Sequence, residues 1–416
     1  MTAVLAEAPD LTDLLGEEVT QTPASYLAPL RDRAPVHWNE RHRAWLVTSY
    51  EQVSNAFRDA RLSSNRLKRY RETRVKDSEQ ATIGRTLRLL ESWMVFQDGP
   101  EHRRLKSVVH KAFTPQFVAS MEADIRVLVK EQVAELLRRL EAEPDKPVDL
   151  LNDIAYEIPG PIICKMLGVP ESDRFRFIDW TEQISLVIGG FTDDDNRYEK
   201  AHVAVTELES YLNQVIENTS ANNDNLMSRL VAAEAEGEKL SRDEAIATGI
   251  VVLFGGNRTT SCMIANGVRA LMLHPEQQEL LRQDPKLIGP AVEEIMRWEA
   301  HTKFTVRIAG EDFEWAGQQI RAGQRVFLSP LSANHDESMF PEAARFDIKR
   351  ANASRNLSFG TGVHLCLGQA LARLELRIMF SEILEVLPRL KLVEPEGVWL
   401  PTLINRVQKR LLVTAA

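Results

Sequence analysis

The sequence contains little cysteine and no long apolar run. Three of its 416 residues are cysteine, and Cys164, Cys262 and Cys366 lie far apart. This number and spacing match neither a disulfide framework nor a CxxC-type zinc site. The most apolar uncharged stretch, AIATGIVVLFGGN at 245–257, is shorter than the roughly 18–20 residues that span a bilayer. The composition therefore predicts no disulfide scaffold and no membrane anchor.

An excess of basic charge is also missing. The formal net charge is −9 and the pI is near 5.6, which gives no electrostatic footprint for nucleic acid. The first residues, MTAVLAEAPDLTDLLGEEV, are acidic and lack the basic and apolar regions of a signal peptide. We expect a protein that stays in the cytoplasm, with a flexible segment over residues 1–20.

The pattern along the chain predicts one mainly α-helical domain with small β-sheets over residues 1–416. Repeats, low-complexity tracts and Gly/Ser linkers are missing from the sequence. Apolar residues at helical spacing fill 113–299, for example IRVLVKEQVAELLRRL. The short strand signals lie at 44–50, 306–330, 390–393 and 410–415.

The segment SFGTGVHLCLGQALARLEL, 358–376, places Cys366 at the start of a predicted helix. Free N–H groups and the positive end of the helix dipole favour a sulfur anion there. Phe359 offers an apolar cover for the sulfur, and His364 a polar group that could hold a carboxylate. An isolated cysteine at such a turn is more often structural. Gly360, Gly362 and Gly368 complete a pattern that chance rarely produces.

FGTGVHLCLG resembles the haem-binding loop of the cytochrome P450 superfamily. The resemblance implies the fold of that superfamily, a single triangular haem domain, and haem b with Cys366 as the proximal ligand of the iron. In EEIMRW, Glu294 and Arg297 resemble the ExxR motif of the family, which alone is a weak signal. Arg345 in the following FPEAARFD resembles the third member of a structural Glu-Arg-Arg cluster.

Four residues are implied by the resemblance as partners of the haem propionates. FQDGPEHRRLKSVVHKAFTP, 96–115, resembles a family helix in which His102 and Lys106 hold a propionate. Lysine stands there in place of the commoner arginine, and it supplies the charge without the bidentate fork. Arg307 matches a further propionate-binding arginine, and His364 completes the set.

LFGGNRTT, 253–260, lies inside a long helical stretch from about 241 to 273 and resembles the oxygen-binding motif of the family. Gly255 and Gly256 in mid-helix suggest a backbone that opens to form a groove. Thr259 would offer its hydroxyl to bound dioxygen and help protons arrive; alternatively, this hydroxyl bonds back to a helix carbonyl.

Arg258 occupies the position where the family carries an acid, and arginine cannot accept and pass on a proton. Two interpretations remain open. Either Arg258 points to the solvent side of the helix and pairs with a carboxylate, while water and Thr259 carry protons, or proton delivery is altered and relies on the substrate or another side chain.

The substrate pocket is predicted by position alone. Apolar candidates at Val252, Phe304, Leu403 and Ile404 suggest a lipophilic molecule, although any core would show similar residues. The basic run RLKRYRETRVK is either a solvated loop or a contact for an anionic substrate group.

The implied function is a monooxygenase that hydroxylates or dealkylates a small organic molecule with O2. Flavin and iron–sulfur motifs are missing from the sequence, so a ferredoxin or flavodoxin with its NAD(P)H-dependent reductase should supply electrons. A positive patch for that donor is expected at Arg103, Arg104, Arg373 and Arg377. The alternatives are peroxide-driven oxidation or another haem reaction, and a non-enzymatic haem sensor.

Overall fold

A computed structural model describes residues 13–77, 80–188, 196–218, 225–235 and 237–416. Helices dominate these ranges. The α-helices are α1 Glu17–Gln21, α2 Pro23–Arg33, α3 Tyr50–Ala56, α4 Arg66–Arg74, α5 Arg85–Glu91, α6 Gly99–Ala112, α7 Pro115–Ser120, α8 Glu122–Ala142, α9 Pro159–Leu167, α10 Arg174–Ile188, α11 Arg197–Asn218, α12 Leu226–Ala232, α13 Arg242–Gly256, α14 Arg258–Leu273, α15 Pro275–Gln283, α16 Ile288–Trp298, α17 Pro330–Ala333 and α18 Gln369–Ile383.

The strands are short, and most of them lie at 36–63, 305–328 and 390–415. They are β1 Val36–Asn39, β2 Ala44–Val47, β3 Leu62–Ser63, β4 Val148–Asp149, β5 Glu234–Ala235, β6 Glu238–Lys239, β7 Thr305–Ala309, β8 Phe313–Trp315, β9 Gln318–Ile320, β10 Arg325–Leu328, β11 Leu390–Leu392, β12 Val398–Trp399, β13 Gln408–Arg410 and β14 Leu412–Ala415. The mainly helical fold with small sheets is confirmed.

The largest sheet has the strand order β1-β2-β10-β7-β3. Its β2 and β10 run parallel, while the other neighbouring pairs are antiparallel. A second sheet, β11-β14-β4, joins the end of the chain to its middle. The sheet order therefore places segments that are hundreds of residues apart in the same sheet.

The N-terminal segment, predicted to be flexible over residues 1–20, is described by the structure from residue 13. Residues 1–12 lie outside the described residues, whereas Leu14 and Val19 are fully buried against Phe327 and neighbouring apolar side chains. Because these side chains fill part of the core, residues 14–20 form a packed element rather than the flexible segment predicted.

The long helical stretch predicted from 241 to 273 is two consecutive helices, α13 and α14. A capping box between Ser241 and Glu244 begins α13, which satisfies N–H groups that the first turn leaves free. The break between α13 and α14 falls at Asn257, directly after Gly255 and Gly256. Glycine weakens a helix interior, so the interruption falls where the sequence permits it.

Helix packing fixes the position of the segment after Cys366. Helix α18 packs against α8 and α14, and α14 also contacts α16. The helix that follows Cys366 is thereby held against the helix that carries Thr259. No helix within the described residues is long and apolar enough to cross a membrane.

Candidate active site

A cavity of about 330 Å3 separates the glycine-rich cysteine loop from the junction of α13 and α14. We call it the cysteine cavity. Ten of the side chains or glycines predicted from the sequence line it: His102, Lys106, Val252, Gly255, Gly256, Thr259, Phe359, His364, Cys366 and Gly368. The structure thus brings together motifs that are up to 266 positions apart, by the difference between 368 and 102.

Cys366 opens onto this cavity, whereas Cys164 and Cys262 are buried. Its position deep inside the protein raises the pKa of the thiol, while the backbone N–H groups of Gly368 and Gln369 donate to the sulfur and oppose that effect. These donors stand at the N-terminus of α18, where the helix dipole also favours an anion. The loop is therefore built to hold a thiolate once a positive partner is present.

Two histidines meet at one edge of the cavity. The rings of His102 and His364 lie 4.1 Å apart between centroids. Burial, with the nearby His364 and Lys106, lowers the pKa of His102 to about 4, so this ring is neutral at physiological pH. His364 Nε2 lies 3.1 Å from the Ser64 hydroxyl oxygen and 3.5 Å from an oxygen of Asp98.

Asp98, which the sequence reasoning missed, fixes this edge. Burial favours its neutral form, but hydrogen bonds from His364, Ser63 and the backbone N–H of Ser64 lower its pKa to about 2. Its signal is present in the sequence, one residue before the Gly-Pro that begins α6. The carboxylate orients His364 toward the cavity.

Lys106 lines the cavity at this edge, whereas Arg307 does not line it and is linked to the edge by its electrostatic interaction with Asp98. Neither cation has a carboxylate within ion-pair distance among the described residues. Lys106 Nζ donates to the carbonyl oxygens of Val363 and Leu365, and burial lowers its pKa. Arg307 is buried and donates to the carbonyl of Val306 at 3.1 Å; burial lowers its pKa to about 10. Buried cations are normally paired, so the buried Arg307 and the half-buried Lys106 both fit an anionic group that enters from outside the chain.

The opposite wall shows an open backbone. A Cβ at Gly255 would have no neighbour within 4 Å, because this residue faces empty space. At Gly256 a Cβ would lie 2.5 Å from Ile163 Cδ1, so the second glycine serves helix packing. The Thr259 hydroxyl donates to the carbonyl of Gly255, and this bond holds the hydroxyl at the groove.

Arg258 does not line the cysteine cavity. Its guanidinium lies 3.5 Å from a carboxylate oxygen of Glu182 on α10, and both side chains are partly exposed. This is the geometry of the first interpretation of Arg258, in which the arginine pairs with a carboxylate away from the groove.

The prediction for the third member of the Glu-Arg-Arg cluster is wrong. Arg345 is exposed and pairs with Glu342 at 2.9 Å, whereas Arg350 places its Nε 3.2 Å from Glu294 and is buried. Arg297 forms a two-point ion pair with the same carboxylate at 2.7 Å for each contact. Arg345 contributes through its backbone carbonyl, which accepts from Arg297 and Arg350.

The four residues predicted to line the substrate pocket do not lie in one cavity. Val252 lines the cysteine cavity, while Leu403 and Ile404 line a different, larger cavity. Phe304 lines neither: its ring is fully buried 5.9 Å from that of Phe327. The prediction for Phe304 is wrong because this ring completes the core beside the five-stranded sheet.

Glu375 is a second residue that the sequence reasoning missed. It lies on α18, lines the cysteine cavity and is almost completely buried. Burial raises its pKa to about 8, partly offset by a hydrogen bond with Thr260. A glutamate on the apolar face of the helix after Cys366 was the available signal. At neutral pH this carboxyl group keeps its proton.

The residues around this cavity fit a flat, dianionic metal cofactor. Cys366 presents one sulfur to the cavity, and Gly255 leaves space in the opposite wall. Lys106 and Arg307 are cations that have only carbonyl oxygens as hydrogen-bond acceptors. This combination defines a haem-thiolate protein. A family model described as "Cytochrome P450" matches residues 41–396. The chain belongs to the cytochrome P450 family, its cofactor is haem with the thiolate of Cys366 as proximal ligand, and it is a haem monooxygenase.

Relatives of known activity cover nearly the whole chain. The biotin biosynthesis cytochrome P450 of Bacillus subtilis is 32% identical over 400 residues, which cover 95% of this chain and 97% of that protein. The vitamin D(3) 25-hydroxylase of Pseudonocardia autotrophica is 35% identical over 385 residues, covering 91% and 90%. A solved structure of P450BioI in complex with hexadec-9Z-enoic acid ligated acyl carrier protein matches with a TM-score of 0.84 at 31% identity, covering 96% and 99%.

Proposed function

We propose that this enzyme inserts one oxygen atom of O2 into a small lipophilic substrate, by hydroxylation or dealkylation, with electrons from a separate redox protein. The observation that carries the proposal is the position of Thr259 and the open Gly255 across one cavity from Cys366. Cys366 would thus hold the cofactor, and the groove at Gly255 and Thr259 would receive dioxygen in the same cavity.

When bound, the haem supplies the iron at which dioxygen is activated. The chain supplies the rest. The N–H groups of Gly368 and Gln369 stabilise the negative charge of the Cys366 sulfur. Lys106 and Arg307 would neutralise the carboxylates of the cofactor, and His102 and His364 would donate hydrogen bonds to it from the same edge of the cavity. Phe359, whose ring lies 4.6 Å from the Arg373 guanidinium carbon, covers the loop.

Proton delivery runs through Thr259. Its hydroxyl donates to the Gly255 carbonyl, which leaves the oxygen lone pairs free to accept a hydrogen bond from water in the groove. Rotation about the Cβ–Oγ1 bond would turn the same O–H toward the cavity. Arg258 stays outside this path because its guanidinium pairs with Glu182 and does not line the cysteine cavity.

The electron donor docks on the side of the molecule that carries the cysteine loop. Of the four arginines predicted for this patch, Arg103 and Arg377 are exposed. Arg104 is bound by Glu101 and Glu244, and Arg373 by Glu293 at 2.6 Å. We therefore assign the docking charge to Arg103 and Arg377, which steer an acidic ferredoxin or flavodoxin by complementary charge.

The names of relatives support a lipophilic substrate. They include a vitamin D(3) hydroxylase and methyl-branched lipid ω-hydroxylases. In this chain, Val252 and Met94 line the cysteine cavity with apolar surface, which would hold such a substrate beside the reacting centre.

A carbon-monoxide difference spectrum of the reduced holoenzyme tests the thiolate assignment. We expect the ferrous-carbonyl absorption band of a thiolate-ligated haem, which Cys366→Ala should abolish and Cys164→Ala should leave unchanged. Turnover with NADH and a surrogate ferredoxin system, compared with hydrogen peroxide alone, tests the reaction. Product formed with peroxide but not with the ferredoxin system would overturn monooxygenation in favour of peroxide-driven oxidation.

A further inference from the structure

A second cavity, of about 770 Å3, lies between α4, the start of α11 and the large sheet. We call it the arginine cavity. Its volume is within the range of small-molecule sites. Much of its wall is apolar, from Leu67, Leu87, Val187, Ile188, Val306, Leu403 and Ile404. Leu403 and Ile404, which the sequence predicts as substrate contacts, line this cavity and not the cysteine cavity.

The charged side chains of the wall are all positive among the described residues. Five arginines line it: Arg43, Arg66, Arg69, Arg197 and Arg325. The described residues that line the cavity include no aspartate or glutamate. A concave surface lined by one sign of charge concentrates ions of the opposite sign.

Arg43, Arg66 and Arg69 form no ion pair with a described residue. Arg71, which lies on α4 with Arg66 and Arg69, differs from them in this respect. Arg71 pairs with Glu91 at 2.7 Å. Arg66 donates to the carbonyl of Ile188 at 2.9 Å and lies over the Phe96 ring. On helix α4, Arg71 is paired with Glu91 and does not line the cavity, whereas Arg66 and Arg69 do.

The missing side chain of Gly323 leaves room for the Arg69 guanidinium. A Cβ at position 323 would lie 1.7 Å from Arg69 Nη2, and the φ angle of this glycine is +83°. The guanidinium therefore occupies the space that any other side chain would fill. Its planar fork is suited to bind a carboxylate with two parallel hydrogen bonds.

We propose that the substrate is an amphiphilic carboxylate whose anionic head is bound by Arg43 and Arg69, with its apolar part along Leu403 and Ile404. This inference rests on the proposed function and adds the chemical class of the substrate. A free acid is favoured over an acyl group on a carrier protein, because the arginines line a cavity of small-molecule size.

The test is a binding titration of the holoenzyme, followed by the Soret shift and by calorimetry. A panel of straight-chain carboxylic acids is compared with their methyl esters and primary alcohols. We expect the acids to bind about tenfold more tightly than the matched esters, with an advantage that shrinks at high salt. The double variant Arg43→Gln/Arg69→Gln should lose this advantage and keep its affinity for the esters.

Arg33→Gln is the matched control, since Arg33 is exposed and does not line the cavity. It should retain the preference for acids. Equal affinity for acids and esters in the unaltered enzyme, or an acid preference that survives the double variant, would overturn the inference. Binding of a carrier-protein-linked acyl chain with no binding of any free acid would overturn it too. In all these cases, a normal carbon-monoxide band and normal turnover would leave the proposed monooxygenase function standing.

Discussion

Arg350, rather than Arg345, places its guanidinium on Glu294, at 3.2 Å, behind the cysteine loop. Arg297 occupies the other side of the same carboxylate, so one buried acid is shared by two buried guanidinium groups. Arg350 also donates to three backbone carbonyls, those of Pro341, Glu342 and Arg345. The segment before the loop is thereby tied to α16.

Replacing Arg350 by glutamine should destabilise the holoenzyme by about 3 kcal/mol, because it breaks a buried ion pair and leaves carbonyls without donors. Arg345→Gln, on an exposed side chain, should change the free energy of unfolding by less than about 0.5 kcal/mol. Urea unfolding and haem content per protein measure both effects. Equal losses in the two variants would contradict the assignment of Arg350.

Replacing Arg258 by glutamine should leave the product formed per NADH consumed unchanged, because its guanidinium pairs with Glu182 outside the cysteine cavity. Thr259→Ala should lower this ratio, since it removes the hydroxyl at the groove. Product and NADH are measured with a substrate found through its Soret shift. A fall in the ratio for Arg258→Gln would instead favour altered proton delivery.

Glu375→Gln should stabilise the protein increasingly as the pH rises from about 4.5 to about 8. In the unfolded chain this glutamate ionises above about 4.5, whereas burial keeps it protonated in the folded protein up to about 8. Folding therefore binds a proton in this window, and the stability of the unaltered enzyme falls with pH there.

The expected gain for Glu375→Gln is roughly 2–4 kcal/mol at the upper end of the window. Urea midpoints of the holoenzyme across this pH range provide the measurement. Glu385→Gln is the control, because the Glu385 side chain is 72% exposed. A gain from Glu375→Gln that does not vary with pH would show that the carboxyl group is not held neutral.

Lys303→Met should stabilise the protein, most strongly below pH about 8. Lys303 is 2% exposed, and burial, with the nearby Arg406, lowers its pKa from 10.5 to about 8. Between these values the unfolded chain binds the proton that the folded protein lacks, so stability falls as the pH falls through this window. The gain should be about 1–3 kcal/mol below it and vanish toward pH 10.5.

Thermal or urea unfolding of the Lys303→Met holoenzyme at several pH values tests this, with the exposed Lys391→Met as control. If Lys303→Met were destabilising at neutral pH, the lysine would have a stabilising partner that burial alone does not account for.

Local motifs carried most of the information about the cysteine cavity. The Cys366 loop, the His102–Lys106 pair and the Gly255–Thr259 groove are each a few residues long, and their spacing within a helix or loop fixes their geometry. Helical periodicity likewise predicted a helix at 125–140, which lies within α8. The amino-acid sequence, through the family resemblance of these motifs, therefore determined the fold class, the identity of the thiolate and ten of the residues that line the cysteine cavity.

The tertiary structure alone decided which distant side chains meet. Arg345 and Arg350 are five residues apart in an irregular segment, where no periodicity tells which guanidinium turns inward. Glu375 and Asp98 become functional candidates only through burial and partners supplied by other elements. The arginine cavity joins residues from position 38 to position 404, and its charge is visible only after folding has placed them around one space. Such long-range juxtaposition depends on the packing of the whole chain, which no local pattern encodes.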